Sequence, residues 1–99
     1  MITFNKTDDC LTIVLQVASL DAGNAVTAKE QFRELIQDWD KTVKIDLSQV
    51  DFMDSSGIGA LLSLFKSTNQ QLTLVRPKPS VMSVLELLRL HRVFPIELD

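Results

Sequence analysis

The sequence predicts a single α/β domain over residues 1–99, built as a mixed β-sheet with its helices packed mainly on one face. Segments in which apolar and polar residues alternate are typical of half-buried strands. They are separated by segments in which apolar residues recur every three or four positions, which is typical of amphipathic helices. Because the strands alternate rather than being apolar throughout, we expect helices to cover one face of the sheet and water to contact the other.

The first two strands are predicted to form an antiparallel hairpin. Ile2 and Phe4 share one side of a short alternating run, and a longer alternating run follows over residues 11–17. Asp8 and Asp9 stand between the two runs, and such a polar pair is a turn signal. A short polar turn between two alternating runs favours strands that pair directly with each other.

Helices and strands then alternate along the rest of the chain, so that the predicted order is β-β-α-β-α-β-α. The approximate ranges of these five elements are 26–39, 42–47, 58–67, 71–75 and 81–88. Ser80 is a plausible N-cap for the last helix. A final edge strand over residues 96–98 is an open possibility. Strands joined through a helix are expected to lie parallel, through right-handed crossovers, which places the strand over 42–47 centrally.

Composition and charge exclude several classes of function. The net charge is −3 and the ten Lys and Arg residues are scattered, which argues against a nucleic-acid partner. One His and one Cys provide no metal-ligand set and no internal disulfide, and no cofactor is expected. No run approaches the roughly 20 apolar residues of a membrane span, and the first residues do not resemble a signal peptide. We therefore expect a cytoplasmic protein without direct membrane insertion.

The segment with the most information is Asp51–Ala60, between the strand over 42–47 and the second helix. It lies at the carboxyl end of a predicted parallel strand and at a helix N-terminus, where backbone N–H groups and the helix dipole favour an anion. Gly57 and Gly59 would allow another backbone or a large ligand to approach closely. An ordinary structural interpretation is also open: Asp54 and the following serines suit a helix cap, and the glycines suit tight packing.

The residues next to the motif serines bear on whether this segment is a docking surface or a catalytic site. Met53 and Ile58 flank the serines, and they fit either the core or an apolar docking surface. Ser55 and Ser56 have no neighbouring histidine or lysine in the sequence to act as a base, and neither a G-x-S-x-G elbow nor a phosphate-binding loop motif is present. We therefore do not expect an enzyme.

The motif resembles the signature of STAS domains, most closely that of the stand-alone bacterial anti-sigma factor antagonists. The resemblance rests on Ile45–Ser48, Val50 and Phe52–Gly59 and extends to the length and element order of the whole chain. It implies that Ser55, directly after Asp54, is phosphorylated, with Ser56 as the competing acceptor. It also implies that the loop around Asp21 and the motif contact the partner. Ala18–Asp21 departs from the step that many family members carry before their Leu-Asp pair.

The resemblance implies a bacterial partner-switching protein that acts in transcription regulation. Unphosphorylated, it would bind a serine kinase that is also an anti-sigma factor; a PP2C-type phosphatase would reset the phosphorylated form. The contacts would involve Asp21, Met53, Ser56 and Ile58. Two alternatives remain open: an accessory STAS subunit of a larger assembly such as a lipid ABC transporter, or a phosphorylation switch that controls biofilm formation or secretion.

Overall fold

The computed structural model describes all residues 1–99 and contains seven strands and three α-helices. The strands are β1 (Ile2–Lys6), β2 (Cys10–Leu15), β3 (Ser19–Leu20), β4 (Thr42–Asp46), β5 (Phe52–Met53), β6 (Leu72–Val75) and β7 (Ile96–Glu97). The helices are α1 (Ala25–Ile36), α2 (Ser55–Ser67) and α3 (Pro79–Leu87), and a 3-10 turn follows at Leu90–Arg92. None of the helices combines the length and apolar character needed to cross a bilayer.

Five strands form the main sheet in the order β1-β2-β4-β6-β7. The β1–β2 pair is antiparallel, as the predicted hairpin requires, and the other three pairs are parallel. The strand over residues 42–46 is therefore central, which confirms the predicted order of the crossovers. The edge strand that the sequence left open is present as β7.

All three helices pack on the same face of this sheet. Phe32, Leu61 and Leu85 from the three helices join Ile13 and Ile45 from the sheet in one core of 22 buried residues. The alternate strand residues point to the opposite face and are mostly partly exposed. The mixed α/β sheet with helices on one face is thus confirmed, and burial of the alternating apolar residues is its main source of stability.

A second sheet of only two short strands was not predicted. β3 and β5 pair in parallel, with Ser19 opposite Phe52 and Leu20 opposite Met53. Two-residue strands are too short to show a hydrophobic period, so alternation could not reveal them. This small sheet joins the connector before α1 to the segment before α2.

The start of α3 also differs from the prediction. Pro79 is its first residue, so Ser80 lies inside the first turn rather than before it. Proline is favoured at that position because its missing N–H has no helical partner to lose. The Ser80 hydroxyl instead donates to the carbonyl of Asp51 at 2.8 Å, which attaches α3 to the segment before α2.

Asp46 is the one buried charged residue of the chain. Its carboxylate accepts the Ser48 N–H at 2.9 Å and pairs with the Arg76 guanidinium. Burial works against ionisation, but the Ser48 hydrogen bonds and the Arg76 charge outweigh it and hold the pKa of Asp46 below its ordinary value. The charged carboxylate therefore joins the end of β4 to the residue that follows β6.

Asp46→Asn is expected to lower the free energy of unfolding at pH 7 by about 1–2 kcal/mol, because it removes a buried, partnered charge. The pKa of Asp46 is lower in the folded state, so its contribution is fully present above the ordinary value of 3.8 and is lost as the pH falls through the folded-state pKa. Urea denaturation of both proteins should show the difference narrowing below about pH 4.

The matched control is Asp51→Asn, which removes an exposed ion pair with Lys78 and should cost less than about 1 kcal/mol. An Asp46→Asn difference that stays constant between neutral and acidic pH would contradict the assignment of the effect to the charge.

Candidate functional site

Asp54 precedes α2 and caps its first turn. Its Oδ1 accepts the backbone N–H groups of Ser56 at 2.9 Å and Gly57 at 3.0 Å. Its Oδ2 accepts the N–H of Ala22, in the loop before α1, at 3.1 Å. One carboxylate thus joins the start of α2 to a loop 32 residues earlier in the chain.

These hydrogen bonds hold the pKa of Asp54 below its ordinary value. The Gly57 N–H contributes most, desolvation acts in the opposite direction, and the N–H groups of Ala22 and Ser56 add to the lowering. Asp54 is therefore ionised at neutral pH. The anion that the motif predicts at the helix N-terminus is this carboxylate of the chain itself.

Ser55 is the first residue of α2, and both it and Ser56 are exposed. Neither hydroxyl makes a hydrogen bond within the chain, because Asp54 performs the capping. The sequence left open whether Asp54 and the following serines together form a helix cap. In the structure Asp54 alone caps α2, and the two serines do not. The Ser55 hydroxyl is accessible at the start of α2, directly after β5 and the capping Asp54.

The loop before α1 is held by its own polar side chains. The Asp21 carboxylate accepts the Gly23 N–H at 2.9 Å and the Ser19 hydroxyl. Asn24 accepts the Asp21 N–H at 2.9 Å and donates to the Ser19 carbonyl at 2.8 Å. Asp21 thus shapes the loop that reaches Asp54, and its contact with a partner stays a prediction.

The two motif glycines are in opposite environments. A Cβ at Gly57 would lie 2.1 Å from the carbonyl oxygen of Leu20, so the backbone that approaches closely belongs to β3. A Cβ at Gly59 would meet nothing within 4 Å. Close packing therefore requires Gly57, whereas no contact inside the chain requires Gly59.

Met53 and Ile58 are buried in the core, with only 2% and 6% of their surface exposed. This corrects the expectation that they contact a partner, because in this structure neither offers a surface. The alternation of β5 explains the difference, since it turns Met53 inward and the adjacent Phe52 outward with 53% exposure. Phe52 is the apolar residue that the sequence analysis missed, because a two-residue strand shows no hydrophobic period from which its outward side could be predicted.

Asp51 and Lys78 form an exposed ion pair, with Lys78 Nζ 2.6 Å from Asp51 Oδ1. The carboxylate before the motif is therefore partly neutralised by the residue before α3. We define the motif surface as Ala22, Gly23, Phe52, Ser55 and Gly59, all of which are exposed. The Asp54 hydrogen bonds and the β3–β5 pairing bring these residues together.

Gly57→Ala is expected to destabilise the fold by about 3 kcal/mol or more, because its methyl group would overlap a backbone oxygen that cannot move without separating β3 from β5. Gly59→Ala is the matched control. It should stabilise the fold by about 0.5–1 kcal/mol, because it removes backbone entropy from a helix without meeting any atom. Chemical denaturation of both variants measures this contrast, and equal effects would contradict the close-approach assignment.

Comparisons with known proteins place the chain in one family. The STAS domain profile matches residues 1–99. BtrV of Bordetella bronchiseptica, which is named as an anti-sigma factor antagonist, is 26% identical over 98 residues, covering 96% of this chain and 84% of BtrV. A Thermotoga maritima structure, also described as an anti-sigma factor antagonist, matches with a TM-score of 0.82 and 26% identity, over 97% of this chain and 85% of that one.

SpoIIAA, an anti-sigma factor antagonist of Bacillus, has the same fold and has been solved in two states. The unphosphorylated form matches with a TM-score of 0.78 and 21% identity, over 97% of this chain and 87% of SpoIIAA. The phosphorylated form matches with a TM-score of 0.70 and 20% identity, over 97% of this chain and 90% of SpoIIAA. With the family profile spanning every residue and these structures sharing its topology, the chain belongs to the STAS domain family.

Proposed function

We propose that this protein is an anti-sigma factor antagonist without catalytic activity that is controlled by reversible phosphorylation of Ser55. Unphosphorylated, it binds a serine kinase that is also an anti-sigma factor and so frees a sigma factor. Phosphorylation by this kinase releases the complex, and a PP2C-type phosphatase restores the binding form. The names of the relatives support the class of partner, and the phosphorylated form of SpoIIAA supports the type of switch.

The observation that carries the proposal is the free Ser55 hydroxyl at the start of α2. A kinase acceptor must be reachable, and Ser55 is exposed and has no hydrogen bond to give up. The relatives that are named as anti-sigma factor antagonists support a regulatory protein rather than an enzyme.

The charges around Ser55 support release by phosphorylation. A phosphate adds about −1.5 to −2 charges at neutral pH. The ionised Asp54 already uses the N–H groups of Ser56 and Gly57, and Lys78 is already paired with Asp51. The new charge would therefore be poorly balanced within the chain. A partner surface that fits a neutral hydroxyl would have to desolvate this phosphate charge, which weakens binding.

The motif surface supports a protein partner. Phe52 places an exposed aromatic ring next to the motif, and aromatic residues are enriched in protein interfaces. Gly59 exposes helix backbone on α2 although an alanine would fit there. A glycine that lowers helix stability without a structural need is consistent with close approach of a partner backbone.

Incubation with the cognate kinase is expected to place a single phosphate on Ser55, which mass spectrometry of the motif peptide would locate. Ser55→Ala should abolish the modification, whereas the matched variant Ser56→Ala should retain it. Phosphate on Ser56 alone would show that the acceptor is the neighbouring serine. No modification at all would favour the accessory-subunit alternative.

Calorimetry against the purified kinase should show that Ser55→Ala binds like the wild type, because it adds no charge. Ser55→Asp should bind about tenfold more weakly or worse, and the phosphorylated protein more weakly still, because phosphate carries more charge than a carboxylate. Tight binding by the phosphorylated form would refute charge-driven release. Loss of binding by a folded Ser55→Ala would show instead that the hydroxyl itself is a contact.

A further inference from the structure

The two edges of the five-stranded sheet differ in how well they are protected. β7 is only two residues long, whereas β1 spans five residues without proline and pairs continuously with β2 along its inner side. No segment of the chain pairs with the outer side of β1. A long, regular edge strand presents unpaired backbone groups on which another strand can align.

The hydrogen-bond pattern identifies which backbone groups of β1 face outward. Gln16 donates its N–H to the Met1 carbonyl at 2.7 Å, and Thr7 donates to the Cys10 carbonyl at 2.9 Å. In an antiparallel pair, residues that bond to the neighbouring strand alternate with residues whose N–H and C=O point away from it. By this alternation, the outward-facing residues of β1 are Ile2, Phe4 and Lys6.

A shallow groove of mixed polarity accompanies this edge. It lies between β1 and α1, has a volume of about 210 Å³, and is lined by Met1, Ile2, Phe4, Gln31, Glu34 and Leu35. Phe4 is 54% exposed although it lies on the helix-covered side of the sheet, opposite the buried Ile13. The Gln31 Oε1 is buried beside the groove without a hydrogen-bond partner.

We propose that β1 pairs antiparallel with β1 of a second copy of this chain, around a two-fold axis at Phe4. In this register Phe4 lies opposite Phe4 of the partner subunit, and Ile2 lies opposite Lys6 of the partner subunit. Every outward-facing residue then meets another outward-facing residue, so three residue pairs exchange six hydrogen bonds. The two five-stranded sheets become one continuous sheet, with the helices of both copies on the same side.

Charge complementarity favours a second copy as the occupant. Within its own chain the Lys6 Nζ lies 5.5 Å from the centroid of the Trp39 ring. In the dimer, Lys6 of the partner subunit lies opposite Ile2 and points to the same side of the sheet, so its flexible side chain can turn from Trp39 toward the groove. Ile2 lines the groove together with Glu34, which forms no salt bridge within its own chain. The proposed pairing would bring Lys6 of the partner subunit next to Glu34, and the two-fold axis would generate this contact twice.

Pairing of five-residue strands buries a modest area, so the dimer is expected to be weak and concentration-dependent. The paired β1 strands contain no residue of the motif surface. The test is sedimentation equilibrium of the full chain between about 10 µM and 1 mM, a range that reports weak association. Any purification tag should be placed away from β1, so that it does not cover the edge strand.

Phe4→Pro removes an outward N–H that β2 does not use, together with the exposed ring, and is expected to leave the protein monomeric over this range. Circular dichroism confirms that the variant is folded. Phe52→Lys is the matched control, because Phe52 has nearly the same exposure and lies on a different strand. The proposal requires that this control dimerise like the wild type.

A charge swap tests the register independently of the backbone. Lys6→Glu and Glu34→Lys should each raise the dissociation constant about tenfold, because each creates two like-charged contacts. The double variant should restore it. A wild type that is monomeric at every concentration, an unchanged dimer in Phe4→Pro, or a double variant no better than the singles would overturn the proposal.

Discussion

The Asp54 carboxylate is the interaction on which the arrangement around the motif depends. It accepts three backbone N–H groups, two from the first turn of α2 and one from Ala22. A helix N-terminus leaves its first N–H groups without partners, and a charged carboxylate satisfies them better than a serine hydroxyl would. The same carboxylate also accepts an N–H group of the loop before α1. A single side chain therefore both caps the helix and positions that loop.

Two further contacts make this arrangement rigid. Gly57 allows α2 to approach the Leu20 carbonyl closely, and the pairing of β3 with β5 places Leu20 beside Met53. Met53 and Ile58 then fill the core beneath the motif. The exposed residues above it are therefore presented by a packed base rather than by a free loop. Such a surface suits a switch in which one covalent group changes binding without any large movement.

The sheet limits where a partner can add to the fold. Helices cover one face of the sheet, and the opposite face carries charged pairs such as Lys44 with Glu97. At one edge the strand β7 is only two residues long, so it offers few backbone groups for pairing. Besides the polar face, two places are accessible: the end of the sheet around the motif and the outer side of β1. These two places expose different groups: side chains and a helix start at the motif, and backbone groups at the edge strand.

Local sequence determined most of the fold. The hairpin, the three helices and the central position of β4 follow from hydrophobic period and from the crossover rule, since each is encoded over many consecutive residues. The motif could also be located from the sequence, because a helix start after a parallel strand is a local feature, whereas Ser55 within it was singled out by the resemblance to STAS domains.

Only the tertiary structure decided which motif residues face outward and which are structural. The exposure of Phe52 and the burial of Met53 depend on a two-residue strand, which is too short to show a period. Whether Gly57 or Gly59 is required depends on Leu20, and the contact of the Asp54 carboxylate beyond its own helix depends on Ala22. These residues lie more than thirty positions away in sequence, and their approach is a consequence of packing rather than of local propensity.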